Sequence, residues 1–253
     1  MLTAFKGLFL IDPRLQFKYL TRNYLARGLT VAERASCFIR HYRHLQARFP
    51  ANLLRQTLQR YSTVLEMQEG GNHYCITMGL SREEVREGEL CLHLRVNETV
   101  VFALQFTIVP GWIVGSETAD ALLISRLQGS KGCYDQIQLA TKALHDVAPA
   151  ALLVSALMGI AEACEIRKIA GVSAGSQLSY SESHSVLFKE AYDDFFTELG
   201  ATRTTPIFFA GPIPLPEKPI TLVKKGHKTR TREKRAFKQQ IADEVCRRLQ
   251  ESK

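Results

Sequence analysis

The sequence predicts an α/β (α+β) fold, a mixed sheet flanked by helices, and three observations predict it. Between residues 63 and 108, short β-rich segments follow one another with turn residues between them. From Ala121 to His145 an apolar strand pattern runs into a glycine-broken turn and then a helical stripe. From Pro149 to Ala210 helical and strand patterns alternate. An antiparallel group that leads into strand, helix, helix, strand, helix, strand calls for a sheet with both kinds of neighbour.

Composition bounds the class. The 253 residues, 45% hydrophobic and 23% charged, suit a globular protein with a real core. The longest apolar run, Val147 to Ala161, is broken by Pro149, Ser155 and Gly159. It falls short of the roughly 20 residues a bilayer span needs, so no transmembrane helix is expected. In MLTAFKGLFLIDPR, Asp12 and Pro13 stand where a secretory signal has small residues, and the expected location is cytoplasmic, peripheral to the inner membrane at most. Cys37, Cys75, Cys91, Cys133, Cys164 and Cys246 show no CxxC and no histidine at zinc-ligand spacing. Reduced thiols and no metal site are expected.

Residues 1–60 read as helical and basic, with stripes at Phe17, Tyr19, Leu20 and Tyr24 and at Ala32, Phe38, Ile39, Tyr42 and Leu45. Gly28 marks a boundary and Thr30 a candidate N-cap. Segments 63–67 and 73–80 are β-rich around Glu69, Gly70 and Gly71, a hairpin pattern. Leu90, Leu92, Leu94 and Val96 then alternate with Cys91, His93 and Arg95, giving one buried and one polar face. After Asn97 and Glu98 the return strand sets Phe102, Leu104, Phe106 and Ile108 against Gln105 and Thr107, and Pro110 and Gly111 stop it.

Ala121 to Leu127 is apolar enough to be covered on both faces, and a helix carrying Ile137, Ala140, Thr141 and Leu144 follows. Pro149 opens a helix that is apolar nearly all round and therefore deeply buried. Ile166 to Val172 is a strand, Val186 to Leu199 an amphipathic helix closed by Gly200, and Ile207 to Ala210 a last strand. GPIPLPEKP reads as a linker, and Phe237, Ile241, Val245 and Leu249 mark a terminal helix from Arg232 onward. The expected organisation is an N-terminal helical region at 1–60, a mixed α/β core at 61–211, and a proline-rich linker with a basic C-terminal helix at 212–253.

Charge is concentrated in one segment. From Lys224 to Lys238 eight Lys and Arg face Glu233 alone, seven of the chain's eight net positive charges. Lys224, Lys225, Lys228, Arg230, Arg232, Lys234 and Arg235 are the candidate membrane or polyanion contacts. Little aromatic interleaving argues against nucleic acid. A solvated tail is the bland alternative.

The central motif is RLQGSKG. Gly129 and Gly132 let the backbone approach an anion, Lys131 supplies charge and Gln128 an amide, so Gln128, Gly129, Ser130, Lys131 and Gly132 are the candidate ligand-binding residues. The loop is neither a Walker A sequence nor a GxGxxG fingerprint. An ordinary turn has the same pattern. GVSAG at Gly171 to Gly175 matches the GxSxG nucleophile elbow, with Ser173 as nucleophile and Asp193 or Asp194 and His227 to complete a triad. A polar loop follows it where the elbow needs a helix. Glu87, Lys142, His145, Tyr180 and His184 are titratable groups whose default role is capping or solvation. His145, Ser173 and Tyr180 are the catalytic candidates.

The strand, glycine turn and helix after antiparallel strands resemble the layout of GNAT acyltransferases, whose corresponding loop holds the coenzyme A pyrophosphate. That resemblance implies an acyltransferase-like core and acyl-CoA as the cofactor. This chain has two helices before the next strand where that layout has one.

HYRHL at 41–45, REGELCLHL at 86–94, LQFTI at 104–108, LQGSKG at 127–132, TKALHDVAPAALL at 141–153, IAGVSAGSQLSY at 169–180, YDDFFTELGA at 192–201 and KKGHKTRTREKR at 224–235 follow one another in order. Together they resemble the VirK/YbjX family of Gram-negative bacteria over nearly the whole chain past residue 40. Similar proteins show a glycine pair, a glycine, and an asparagine with a histidine where this chain has Ser125 and Arg126, Asp146, and Ser176 and Gln177. The resemblance implies a virulence-associated protein that acts on the cell envelope or on surface placement of a virulence factor. The competing expectation is a non-catalytic adaptor or chaperone that binds an exported protein or anionic lipids of the inner membrane.

Overall fold

The computed structural model of this chain describes residues 13–81 and 86–251. The first twelve residues, on which the signal-peptide reading falls, and the last two of the C-terminal region lie outside the described residues. The N-terminal region opens with a 3-10 helix, Pro13–Leu20. Helix α1 (Val31–Arg48) starts at Thr30, whose hydroxyl accepts the Glu33 amide at 3.3 Å while the Glu33 carboxylate accepts the Thr30 amide at 2.7 Å. This reciprocal cap satisfies two donors that a helix start leaves free. Helix α2 (Ala51–Gln59) follows.

Strands β1 (Ser62–Glu69) and β2 (Asn72–Leu80) turn at Gly70 and Gly71, both with positive φ. Strands β3 (Leu90–Val96), β4 (Thr99–Pro110) and β5 (Asp120–Gly129) continue the meander. Then come α3 (Tyr134–Ala143), α4 (Pro149–Ala163) and β6 (Lys168–Val172). The expected helix at 186–199 is present and changes its winding along its length: α5 (Ser185–Phe188) runs on into a π-helical segment, Lys189–Asp194, and then into α6 (Phe195–Glu198). Strand β7 (Thr202–Arg203) precedes β8 (Phe208–Pro212), and α7 (Lys228–Glu251) ends the described chain.

The eight strands form one sheet in the order β1-β2-β3-β4-β5-β6-β8-β7. Every neighbouring pair is antiparallel except β5 and β6. The architecture is therefore mixed α/β. Leu90, Leu92 and Leu94 lie opposite Phe106, Leu104 and Phe102, and Ile124 and Leu122 continue that face on β5. Helix α4 packs over β3, β4 and β5, and α7 packs on α4. The α4 helix is apolar on all sides because the sheet takes one side and α7 another. Burying each Leu-sized or Phe-sized side chain this way stabilises the fold by roughly 1.5–3 kcal/mol.

The other face was expected to be polar and is covered as well. Gln105 and Thr107 are buried beneath α1, which packs against β4. The Tyr42 hydroxyl of α1 donates to Glu89 at 2.5 Å, and Lys18 approaches the same carboxylate at 3.3 Å. Burial, and next to it the Glu89 charge, pushes the Tyr42 hydroxyl well above its ordinary pKa. This buried ion pair fastens the N-terminal segment to the start of β3. All six cysteines are free thiols. Among the described residues no helix is long and apolar enough to cross a membrane.

Candidate functional site

Strands β5 and β6 pair at three positions only, Leu122 with Ile169, Leu123 with Ala170 and Ile124 with Gly171. Next comes Ser125, an extra residue on β5, since Gln105 of β4 faces Arg126 and Phe106 faces Ile124. Such a bulge bends and twists its strand. Strand β6 ends at Val172 and turns into a 3-10 turn, Ala174–Ser176, while β5 runs on to Gly129 beside β4 alone. The two parallel strands part at their carboxyl ends. In open sheets this is where ligands bind.

Around these strand ends three buried polar atoms have no hydrogen-bond partner among the described residues: Ser125 Oγ at the bulge of β5, Gln105 Oε1 on β4 beside that bulge, and Gln177 Oε1 just after the turn that follows β6. Gln177 is held there by its own Nε2, which donates to the Val172 carbonyl at 2.9 Å. Each such atom costs about 1–3 kcal/mol when left unsatisfied. A polar group bound between the strands would recover part of that cost.

Charged groups line the same place. Arg126 Nη1 is 3.3 Å from Glu87 Oε2, and its Nε and Nη2 donate to Gln128 Oε1 at 2.9 and 2.5 Å. Burial raises the Glu87 carboxyl above its ordinary pKa, against the lowering effect of Arg126 and a hydrogen bond with Ser179. A carboxylate raised in this way accepts a proton closer to neutral pH. The π-helical segment supplies Tyr192, whose hydroxyl faces the Leu127 backbone and is kept protonated by burial. Asp193 beside it accepts the Ala174 amide at 2.7 Å and Arg203 Nη2 at 3.0 Å, which ties the turn after β6 to this helix. Turns of the π type recur at functional sites.

Beyond the parting lies the glycine turn. The Ser130 amide donates to the Val101 carbonyl at 2.9 Å, and the Cys133 amide to the Ser130 carbonyl at 3.2 Å. The amides of Lys131, Gly132 and Tyr134 donate to no described residue. Gly132 has φ +79, and a side chain at Gly129 would press on Ile137. The turn thus presents free donors at the start of α3, with the Lys131 side chain exposed.

The other candidates are dispersed. His145 follows α3, whose ten residues put it about 15 Å from the glycine turn; its ring packs on Phe237 at 4.5 Å. Ser173 has a relaxed backbone (φ −62, ψ 152), is 2% exposed, and donates to the Pro206 carbonyl at 3.3 Å. No described histidine hydrogen-bonds it, and His227 lies in a 3-10 turn before α7. Tyr180 packs edge-on against Phe188, which stacks on Tyr192, so Tyr180 belongs to the aromatic row beside the site.

Of the basic residues, Arg230 pairs with Asp146 at 2.6 Å, Lys234 donates to the Asp146 carbonyl at 2.6 Å, and Arg235 pairs with Glu217 at 2.9 Å. Lys224, Lys225, Lys228 and Arg232 have no ion pair or side-chain hydrogen bond with a described residue. Sequence reasoning missed Gln105, Ser125 and Tyr192. The first two carried a signal, as polar residues within long apolar strands.

These features define the class: an α/β protein with an open mixed sheet whose parallel strands part beside buried polar groups. The chain belongs to the family described as "Protein of unknown function (DUF535)", whose profile matches residues 2–247. No curated protein and no solved structure matches it.

Proposed function

We propose that this protein binds an acyl thioester of phosphopantetheine, such as acyl-CoA, where β5 and β6 part, and transfers the acyl group in an acyltransferase-like reaction. The observation that carries the reading is the parting itself: one parallel pair that opens at a bulge, then a glycine turn with free amides, then a helix. The strand, glycine turn and helix after antiparallel strands are the part of the GNAT resemblance on which the reading leans. In this reading the free amides of Lys131, Gly132 and Tyr134 receive the donor's phosphate. Glu87 takes the proton of an amine or hydroxyl acceptor as its bond to the acyl carbon forms, and Tyr192 gives a proton to the sulfur as the C–S bond breaks.

The VirK/YbjX resemblance supports an acceptor in the cell envelope and a role in virulence, reached from the cytoplasmic side of the inner membrane. A second reading, a non-catalytic adaptor for an exported protein or the membrane surface, is favoured by the cations before and at the start of α7 that pair with no described residue. Isothermal titration of the folded, monodisperse protein with acetyl-CoA and palmitoyl-CoA separates the two. Saturable binding of either is the expected result, and the absence of binding to both, with none to the same acyl group on a carrier protein, removes the acyltransferase reading.

A further inference from the structure

We infer that the acyl donor arrives on an acidic carrier protein, which docks on the basic rim formed by α3 and the start of α7. The inference rests on the thioester reading above and names the source of the thioester. Free acyl-CoA brings its own nucleotide and needs no docking surface; a carrier's protein body must lie just outside the site that takes its phosphopantetheine. Here that place is the start of α3.

The rim has the chemistry of a partner surface. Lys224, Lys225, Lys228 and Arg232 pair with no described residue, and α7 begins with cations and no acid in its first turn. Cations there oppose the positive end of the helix dipole, an unfavourable arrangement that an anionic partner would relieve. The start of α7 is held against the far end of α3, about 15 Å along that helix from the glycine turn: the Arg230–Asp146 pair, the Lys234 bond to Asp146 and the packing of His145 on Phe237 join α7 to the turn after α3. Along α3, Tyr134, Gln138 and Lys142 recur every four residues on one exposed side.

Exposed apolar side chains lie on α3 and just ahead of the basic run. Tyr134, Leu139 and Leu222 are 69%, 42% and 64% exposed. Cations interleaved with separate large apolar groups fit an acidic protein face. A membrane would need a contiguous apolar face. On α7 that face is already spent, since Ile241, Ala242, Val245 and Leu249 are buried in the fold.

The test uses the full chain on a biosensor with three probes: a palmitoylated bacterial acyl carrier protein, palmitoyl-CoA, and vesicles of phosphatidylglycerol and phosphatidylethanolamine. We expect the wild type to bind the carrier, more weakly as salt rises. The variant with Lys224→Glu, Lys225→Glu, Lys228→Glu and Arg232→Glu should lose about tenfold or more in carrier affinity and none for palmitoyl-CoA. The matching glutamine variant should lose less, and thermal unfolding of both should follow the wild type. Carrier binding unchanged by the charge reversal overturns the inference. So does a wild type that binds palmitoyl-CoA or vesicles and not the carrier, which leaves the thioester reading or the lipid reading standing. Binding of neither thioester removes the inference and the thioester reading together.

Discussion

Gly159 sits where α4 crosses α7, and a Cβ added there would run into the Ala242 carbonyl and lie 3.0 Å from Val245 Cβ. Both obstacles belong to a packed helix, so the helix itself would have to move. Gly159→Ala should therefore destabilise the protein by about 1–3 kcal/mol, seen as a lower urea midpoint with an unchanged slope. An unchanged midpoint would contradict the docking of α7. At the same scale, Ser125 and Gln105 show what a sequence conceals. Their polarity within apolar strands is visible, but the register that brings them together depends on a bulge that no pattern of residues announces.

Among the elements, α1 offers the cleanest test of a local signal. Its cap was legible because Thr30, after the Gly28 boundary, stands just ahead of the helical stripe, and the structure adds the reciprocal bond with Glu33. Thr30→Ala should cost about 1 kcal/mol, measured by chemical denaturation, and no loss would mean that the cap is dispensable. Strands β1 to β6 and helices α3 and α4 were legible because alternation and helical spacing survive in long elements. Strand β7 was not, since two residues carry no period. The 3-10 form of Pro13–Leu20 and the π winding within the helix after Ser185 escaped for a related reason: apolar spacing does not distinguish three, three and a half or more residues per turn. The proline-rich stretch read as linker contributes Gly211 and Pro212 to β8, and α7 begins four residues ahead of Arg232.

For the molecule as a whole, burial on both faces of the sheet sets its response to acid. His41 is fully buried, accepts the Ile108 amide on Nδ1 at 3.0 Å, and is lowered to about 3 by burial, with His44 and Lys18 adding to the effect. His93 is lowered to about 4 by burial and by Arg95. Unfolded, both titrate near 6.5. Between pH 6.5 and about 4 the unfolded chain therefore binds protons that the folded one refuses. Stability from these groups is complete above pH 6.5 and falls as pH drops, by roughly 1.4 kcal/mol for each unit of separation. Asp120 adds to the loss lower still: burial works to raise it, but His44 and Arg40 hold it below the usual carboxylate range, so its contribution goes as pH falls below that range. Urea midpoints at pH 7.5, 6 and 5 should decline in that order, and a flat series would contradict the burial of these rings. The fold class was legible at this scale from the order of patterns, and the family from residues spread along the chain. The parting of β5 and β6 was not, because it arises from where two strands stop pairing.

The π-helical segment Lys189–Asp194 has one further consequence. A wide turn inserts a residue without breaking the helix, so the side chains before and after it are rotated relative to each other by about 100° compared with an unbroken α-helix. That rotation lets Tyr192 face Leu127 while Phe196, just downstream, fills the space over Gly171. Shortening the chain by one residue here would return the helix to ordinary winding and swing one of these two rings off its target. The helix is in this sense a gearing element, with its ratio set by a single supernumerary residue.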